Sequence, residues 1–522
     1  MGSLETLIFL ITIAIILIEV AQRLHIPYPV ALVVAGTAIS FFPGIKQIDL
    51  NPNSVLLILL PPILYYAAFW VSNRELRRNL TEILSLALGL VVASTLIIGM
   101  VFKWLFPDLP WALAFAFGAI VSPPDAAAAS TILKRFSISS RLKNVLEGES
   151  LINDASGIII YKLALAFLMY EAFNFKELSL VFTFAVLGGI ILGVVSGYFM
   201  QFFSRYFLGP VVGVAFSFTI PYVTYAFADI LNVSGVLAVV VNGLIGSHIV
   251  LRHQLSQRRI LAFASWDIFF ILINCFMFML IGTQLKGMVK HMHGDQILIY
   301  TGYGLFFTFV LILVRMIWIY VYNAVHTIRK RNKNHFSALF RESTILGWSS
   351  MRGIVSLAMA LALPYTLPDG SNLPGRDIVV FMTFIVILMT LLLTGLTLPA
   401  VMRWLKVKSS FPEAHALQHF RRALSQAARE EIQHLHTSSY LSIQDRDFLL
   451  TYFCTHHKIL EISSAKESSI PTLELARIKV LQAQRQYLIK LWEAGEIDDS
   501  LLGRLEHELD IEETHFARGE IS

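Results

Sequence analysis

Thirteen long apolar segments constrain the fold of this 522-residue chain more than any other feature of its sequence. A bilayer core about 30 Å thick is crossed by a helix of about 20 mostly apolar residues. Only 15% of the residues are charged, whereas a soluble protein carries about 25%. The sequence therefore excludes a water-soluble α/β enzyme and predicts an all-α polytopic membrane protein with about 13 transmembrane helices. The predicted spans are 5–21, 28–43, 54–71, 83–106, 110–133, 143–170, 178–203, 207–229, 233–250, 261–285, 297–325, 342–366 and 377–403.

The positive residues of the loops predict how these spans are oriented. If the N-terminus lies outside the cell, the cytoplasmic loops carry 20 Lys and Arg residues and the opposite loops carry 6. Membrane proteins concentrate Lys and Arg in their cytoplasmic loops. We therefore expect a multi-pass protein of the plasma or inner membrane, with its N-terminus outside and its C-terminus in the cytoplasm. Since these loops account for the net charge of +5, that charge does not indicate nucleic-acid binding.

The last part of the chain, residues 405–522, differs in kind from the apolar part. It holds half of the 36 acidic residues, and helical periodicity continues there with ordinary charge density. We expect a transmembrane domain over 1–404 and a soluble helical cytoplasmic tail over 405–522. Cys454 lies near His456 and His457, but their spacing matches no standard metal site, so no cofactor is expected.

Two spans contain residues that interrupt a helix in mid-membrane. The fifth reads Ser122-Pro-Pro-Asp125, and adjacent prolines remove two backbone donors and clash with the preceding turn. The twelfth holds two glycines and three serines between Gly347 and Ser356. Secondary transporters build their ion sites from interrupted helices of this kind. Because the two spans are seven apart, they run in opposite directions, which predicts inverted repeats with crossing discontinuous helices.

A carboxylate and a hydroxyl share one face of the sixth span. Asp154 lies one turn beyond Ser150 in an otherwise apolar helix. A hard monovalent cation prefers oxygen ligands, and carbonyls freed by the break in the fifth span could add to these two. The alternative interpretation is a structural polar pair between helices. An ionisable group this deep in a membrane is nevertheless a functional candidate.

Other charged residues in the spans require partners or roles of their own. Arg352 lies in the middle of the twelfth span and must be paired, and we expect Glu149 to be its partner. Asp125 begins the second half of the fifth span, where it can cap free amides. For Arg315 and Lys162 a structural role is as plausible as an accessory role in transport.

Six motifs follow one another in a fixed order between residues 30 and 404. They are Ser122-Pro-Pro-Asp125, Gly148-Glu-Ser-Leu-Ile-Asn-Asp154, Val233-Ser-Gly-Val-Leu-Ala-Val-Val240, Phe278-Met-Leu-Ile-Gly282, Gly347-Trp-Ser-Ser-Met-Arg-Gly-Ile-Val-Ser-Leu-Ala358 and Thr394-Gly-Leu-Thr-Leu-Pro399. Together they resemble the first cation:proton antiporter family, which contains the bacterial NhaP-type and animal NHE-type sodium/proton exchangers.

The resemblance implies a homodimer in which each protomer has a dimer-forming domain and an ion-transporting core. It also implies that Asp154 is the carboxylate that binds the ion or the proton, and that Asn153 occupies the family's Asn-Asp position. The expected pair of Glu149 with Arg352 matches the family's buried stabilising pair. The ion and proton site expected on these grounds comprises Asp154, Ser150, Asn153, Asp125 and Ser122.

Two positions depart from the family's pattern. Tyr66 stands in the third span where the family often has an acidic residue, so an acidic contribution there is absent or comes from other groups. Ala126 stands where many relatives have a proline. Tyr66 is therefore retained only as a possible accessory residue.

These features predict a secondary active transporter that exchanges a monovalent cation (Na⁺, or Li⁺ or K⁺) for a proton by alternating access. Asn153 stands where electrogenic antiporters have a second aspartate, so one proton per cation and electroneutral exchange are expected. A cation channel is one alternative. An intramembrane protease using Ser247 and His248 is another, but adjacent residues on one helix cannot form a nucleophile–base pair. An enzymatic function is not expected.

Overall fold

The computed structural model describes residues 3–24, 27–42, 52–71, 73–133, 136, 138–169, 175–207, 209–253, 256–290, 292, 294–330, 336–407, 412–454, 470–494, 496–497 and 499–517. Nearly all of these residues are helical. An isolated antiparallel bridge between Thr366 and Asn372 is the one strand-like pairing within these ranges.

The apolar part of the chain folds as a succession of helices. Each predicted span coincides with one of these helices, or with consecutive short ones. They are α1 (Ser3–Arg23), α2 (Tyr28–Ser40), α3 (Pro52–Trp70), α4 (Asn73–Arg78), α5 (Leu80–Leu84), a π-helical segment (Ser85–Leu90), α6 (Val91–Leu105), α7 (Trp111–Val121), α8 (Ala126–Leu133), α9 (Ser140–Met169), α10 (Phe175–Phe207), α11 (Pro210–Ile230), α12 (Gly235–His253), α13 (Ser256–Thr283), α14 (Leu285–Val289), α15 (Gly294–Lys330), α16 (Phe336–Trp348), α17 (Ile354–Leu361) and α18 (Arg376–Trp404).

The length and composition of these helices suit a membrane. Among the described residues, seven helices are long and apolar enough to cross it, and four shorter apolar helices accompany them. The most apolar stretch of α10 is only 17% buried within the protein, so most of its side chains lie on the surface of the chain. The predicted all-α multi-pass architecture is confirmed, and the number of 13 spans stays a prediction.

The fifth and twelfth spans are each divided into two half-helices. Helix α7 ends at Val121 and α8 begins at Ala126, with Pro123 and Pro124 between them. Helix α16 ends at Trp348 and α17 begins at Ile354. These are the segments where adjacent prolines, and glycines with serines, weaken a helix. The backbone is therefore irregular at two places within apolar segments.

Glycines let α2 and α13 approach each other closely. A Cβ atom on Gly36 would lie 2.2 Å from the carbonyl oxygen of Met279, and one on Gly282 would lie 2.4 Å from that of Val33. No side chain larger than hydrogen fits at either position. Small residues of this kind allow the backbones of membrane helices to pack directly, so α2 and α13 form one tightly packed pair.

The chain divides into two compact units. One contains Met1–Ile249 and Ser265–Ser409, and the other contains Val250–Ala264 and Ser410–Ser522. The sequence suggested a boundary at 404/405 and gave no sign that 250–264 belongs with the tail. Helix α13 is continuous across Ala264, so its first nine residues belong to one unit and the rest to the other.

The second unit is a small helical bundle with its own core. Its further helices are α19 (Pro412–Thr437), α20 (Ile443–Cys454), α21 (Ile470–Ala494) and α22 (Asp499–Ala517). Leucines of α21 and α22 pack together in its interior. Within this unit Arg259, near the start of α13, forms a buried ion pair with Asp510 of α22, with Nε donating to Oδ2 at 2.9 Å. Arg485 also donates to Asp510, at 2.6 Å.

A second acid of α22, Glu506, lies one turn before this ion pair. Its side chain is 4% exposed, and Oε2 has no hydrogen-bond partner among the described residues. Burial raises the pKa of Glu506 from 4.5 to about 7; the positive charge of Arg259 opposes the rise and Asp510 adds to it. The carboxyl group therefore gains or loses its proton near neutral pH.

Replacing Glu506 by Gln should make the stability of α22 less dependent on pH. A carboxyl whose pKa rises from 4.5 in the unfolded chain to about 7 in the folded one stabilises the fold fully below pH 4.5. That contribution is lost as the pH rises through 7. The neutral amide has no proton to lose, so at pH 8 we expect the variant helix to be more stable by on the order of 3 kcal/mol.

Hydrogen exchange of α22 in the full-length protein, compared at pH 6 and pH 8, measures this difference. The Glu496→Gln change is the control, since it removes an equal charge from an exposed residue in the connection between α21 and α22. Equal protection of α22 in the wild type and in Glu506→Gln at pH 8 would contradict the assignment.

Candidate functional site

The two interrupted spans meet at their irregular segments. The backbone N–H of Asp125 donates to the carbonyl oxygen of Met351 at 2.7 Å. In return, Nε of Arg352 donates to the carbonyl oxygen of Val121 at 2.9 Å. Backbone groups that leave a helix inside a membrane must be satisfied by protein or by a water-filled cavity. Each interruption therefore satisfies a backbone group of the other.

Gly353 leaves a space at this crossing that the carboxylate of Asp125 occupies. A Cβ atom on residue 353 would lie 1.7 Å from Oδ2 of Asp125, so the carboxylate occupies the space that any other side chain would need. Asp125 immediately precedes α8, as the sequence indicated, and is partly exposed. The glycine is required here for the close approach of a charged group.

Helix α9 brings Asn153 and Asp154 to the same crossing. Nδ2 of Asn153 donates to the carbonyl oxygen of Pro124 at 3.1 Å, so one freed carbonyl of the fifth span is satisfied from α9. Oδ1 of Asn153 is buried without a hydrogen-bond partner among the described residues. A Cβ atom on Gly157 would lie 2.4 Å from Cγ of Pro123. The glycine thus lets α9 lie directly against the double proline.

Asp154 combines a buried setting with access to solvent. It is partly exposed, whereas Asn153 and Ala155 on either side are buried. Asp154 and Asp125 are close enough to interact electrostatically. Two carboxylates that lie together at the crossing supply oxygen atoms of the kind that a monovalent cation prefers.

The two serines predicted for the site lie in different settings. Ser122 is buried, and its hydroxyl donates to the carbonyl oxygen of Gly118 at 2.6 Å. Its oxygen lies 3.2 Å from Oγ1 of Thr95, a residue that the sequence did not single out. Ser150 is partly exposed one turn before Asp154 on α9. The roles of both serines in ion binding stay predictions.

The prediction that Glu149 pairs with Arg352 is wrong, because Glu149 pairs with Arg315. Nη2 of Arg315 donates to Oε2 of Glu149 at 2.8 Å, and Nη1 donates to Oε1. Both side chains are 2% exposed. Nε of Arg315 donates to the carbonyl oxygen of Leu346 at the end of α16. A bidentate, buried pair therefore joins α9 to α15.

Arg352 has a different set of partners. Besides Val121, its guanidinium donates to the carbonyl and hydroxyl oxygens of Ser350, and its backbone N–H donates to Oγ1 of Thr390 at 3.1 Å. The guanidinium is thus bound to oxygens of the two interruptions, which the sequence alone could not reveal. Arg352 holds the irregular backbone together, and the carboxylate of Glu149 is neutralised by Arg315.

The two accessory residues also differ in setting. Lys162 is exposed, two turns beyond Asp154 on α9. Tyr66 donates its hydroxyl to Oδ1 of Asp267 at 2.6 Å. Asp267 was missed in the sequence, although a carboxylate six residues into the span 261–285 is the signal that should have found it.

The described residues contain no group of three or more His, Cys, Asp or Glu that could hold a metal ion. His456 and His457, which lie beside Cys454 in the sequence, fall outside the described residues. Ser247 is buried in α12, and the side chain of its neighbour His248 is not described. The crossing of the interrupted helices is therefore the site on which a functional argument can rest.

The chain is similar to known proteins over most of its length. The profile of a family described as "Sodium/hydrogen exchanger, transmembrane" matches residues 8–404. A Mycobacterium bovis protein named as an uncharacterized Na⁺/H⁺ exchanger is 30% identical over 98% of this chain and 96% of its own length. A Bacillus subtilis protein named as a sodium, potassium, lithium and rubidium/H⁺ antiporter is 31% identical over 72% of this chain and 57% of its own.

The fold is also similar to that of solved structures. The sodium proton antiporter MjNhaP1 from Methanocaldococcus jannaschii, at pH 8, matches 76% of this chain and 97% of its own with a TM-score of 0.60. Its sequence is 20% identical. At that identity the match supports the helical architecture and no more.

Proposed function

Because the chain belongs to the sodium/hydrogen exchanger family, we propose that it exchanges a monovalent cation for a proton at Asp154, one for one, by alternating access. Na⁺ is the first candidate cation, with Li⁺ and K⁺ as alternatives. The Bacillus subtilis relative is named for sodium, potassium, lithium and rubidium, which supports testing all of these ions. The family match gives no support to a channel or to an intramembrane protease.

The observation that carries the proposal is the position of Asp154 beside the crossing of the two interrupted spans. Asn153, next in the chain, hydrogen-bonds to the freed carbonyl of Pro124, and Asp154 interacts electrostatically with Asp125. Interrupted helices near the bilayer midplane are the way in which secondary transporters build ion sites. Asp154 is thus the carboxylate that such a site requires.

Exchange follows from competition for one carboxylate. A proton and a cation cannot both occupy Asp154, so binding of one displaces the other. Either occupied form is neutral at this group and can cross the membrane core at lower cost than the empty, charged form. The amide of Asn153 cannot titrate, and therefore adds no second proton to the cycle.

The remaining parts of the proposal concern the assembly around this site. We propose inverted repeats over spans one to six and eight to thirteen, with Ser150, Ser122 and Asp125 assisting Asp154 in binding. The protein would act as a homodimer in the plasma or inner membrane, with its C-terminus in the cytoplasm. The match to a family of transmembrane exchangers supports this arrangement. Regulation of the pH of the cell would be its physiological result.

The stoichiometry is tested by the response of exchange to membrane voltage. If one proton leaves for each cation that enters, no net charge moves in a cycle. In proteoliposomes containing a pH-sensitive dye, Na⁺-driven proton flux should proceed at the same rate with and without an imposed potassium-diffusion potential. Chloride salts of Li⁺, K⁺ and Na⁺, compared in turn, identify the transported cations.

A rate that depends steeply on voltage would overturn the one-for-one stoichiometry. Lys162 would then be the first residue to replace, because it lies two turns from Asp154 and could carry an additional proton. If Lys162 carries that proton, exchange by the Lys162→Gln variant should be independent of voltage. If the variant alone abolished a voltage dependence seen in the wild type, Lys162 would be the second titrating group.

A further inference from the structure

The pair formed by Tyr66 and Asp267 lies outside the crossing, and the exchange at Asp154 does not explain it. Tyr66 is near the end of α3 and Asp267 is in the first half of α13. Both are partly exposed. The ring of Tyr66 stacks on Phe270, with centroids 4.0 Å apart and an interplanar angle of 16°. This stacking fixes the hydroxyl on Oδ1 of Asp267.

Asp267 lacks a positive partner among the described residues. The described Lys, Arg and His side chains form no ion pair with it within 4.0 Å, and the hydroxyl of Tyr66 is the donor to its carboxylate. Oδ2 is left to accept from water or a cation. A carboxylate in an apolar helix is costly without a counter-charge, and a bound cation would supply that charge.

A row of partly exposed polar groups connects this pair to Asp154. Tyr66 interacts electrostatically with Tyr28 of α2, and Tyr28 interacts with Asp125. Asp125 in turn interacts with Asp154. Each of these five residues is partly exposed, although the helices around them are packed; α2 and α13 touch through Gly36 and Gly282. This row of partly exposed side chains is the candidate route for a cation between the pair and Asp154.

The pair lies nearer to one surface of the membrane than Asp154 does. At 1.5 Å per residue, Asp267 is about 9 Å into the predicted span 261–285, and Asp154 is about 16 Å into the span 143–170. Each of these two spans begins at a loop that is rich in Lys and Arg. Helix α3, which carries Tyr66, ends at another such loop. That side of the membrane is the one we assign to the cytoplasm.

We propose that Asp267, positioned by Tyr66, is an entry site that binds a hydrated monovalent cation on its way from the cytoplasm to Asp154. The proposal rests on the proposed exchange at Asp154 and adds a second residue to its cation pathway. The carboxylate raises the local concentration of cations at the mouth of the route, as a fixed negative charge in a low-dielectric cleft does. It takes no part in exchanging the proton.

The test uses everted membrane vesicles, in which the cytoplasmic face is outside and the added Na⁺ meets it directly. Asp267→Asn removes the charge and keeps an oxygen for the Tyr66 hydroxyl. We expect the Na⁺ concentration for half-maximal exchange to rise about threefold to tenfold at low ionic strength, with the maximal rate retained. In right-side-out vesicles the same variant should behave as the wild type. High concentrations of a salt that is not transported should reduce the difference.

Three variants separate charge from structure. Asp267→Glu keeps the charge and should keep the wild-type half-saturation. Tyr66→Phe keeps the carboxylate and should change half-saturation less than Asp267→Asn does. Asp295→Asn removes an equal charge from an exposed residue at the start of α15, on the opposite predicted side, and should have no effect on cytoplasmic Na⁺.

The possible outcomes distinguish a failure of the entry site from a failure of the proposed exchange at Asp154. If Asp154→Asn abolishes exchange and Asp267→Asn leaves half-saturation unchanged on both faces, the exchange site stands and the entry site is wrong. A loss of maximal rate that Asp267→Glu does not rescue, or an equal change on both faces, also overturns it. If the wild type shows no exchange, both proposals are wrong.

Discussion

Replacing Asp154 by Asn should abolish cation-dependent proton flux in proteoliposomes. The amide has nearly the same shape as the carboxylate but carries no charge and cannot titrate, so it can neither attract the cation nor exchange a proton. Asp154 is partly exposed at the edge of a packed region. The change should therefore leave the protein folded, with unaltered size-exclusion behaviour and melting temperature.

The matched control is Asp229→Asn, which removes an equal charge from an exposed residue at the end of α11. We expect it to retain the wild-type rate. If Asp154→Asn kept more than about a tenth of that rate, the exchanging group would lie elsewhere. Asp125 would then be the next residue to replace, because it interacts directly with Asp154 and lies at the same crossing.

Removing either member of the Glu149–Arg315 pair should destabilise the protein strongly. Both side chains are 2% exposed, and truncating one leaves the other as a buried, unpaired charge, which costs about 3–5 kcal/mol. Glu149→Ala and Arg315→Ala should each lower the melting temperature in detergent. The double variant should cost much less than the sum of the two, because it leaves no orphaned charge.

The exposed pair of Arg23 with Glu19 provides the control. Its side chains are 79% and 62% exposed, and such pairs are worth about 0–1 kcal/mol, so Glu19→Ala should hardly change the melting temperature. Additive effects of Glu149→Ala and Arg315→Ala would mean that the two residues do not stabilise each other. Strong coupling of Glu149 with Arg352, and none with Arg315, would restore the pairing predicted from the sequence.

Local sequence signals predicted the parts of the site that depend on one segment. Adjacent prolines at 123 and 124 must end a helix wherever they occur, and the interruption falls there. Asp154 and Ser150 share a helical face by spacing alone. These predictions need no knowledge of which helices are neighbours.

The misses are of a different kind, because they depend on tertiary contacts. Glu149 could pair with any buried arginine, and only the packing of α9 near α15 selects Arg315 over Arg352. Similarly, the hydrogen bond between Tyr66 and Asp267 cannot be predicted from either segment alone, because the two residues are 201 positions apart in the chain. The inclusion of 250–264 in the tail unit is likewise invisible to composition, since that stretch reads as an ordinary loop and helix start.

The reciprocal hydrogen bonds at the crossing have a consequence for biosynthesis. Val121 and Arg352 are 231 positions apart, so a ribosome adding about 5–20 residues per second needs about 10–45 s to deliver the second after the first. During that interval the carbonyl group of Val121 and the N–H of Asp125 lack the partners that Arg352 and Met351 later supply. The nascent chain is then a target for membrane proteases and insertion chaperones. Sequence changes at Thr390, which binds the backbone N–H of Arg352 in the late-arriving half, would consequently appear as a reduced amount of protein in the membrane, with normal turnover in the molecules that survive.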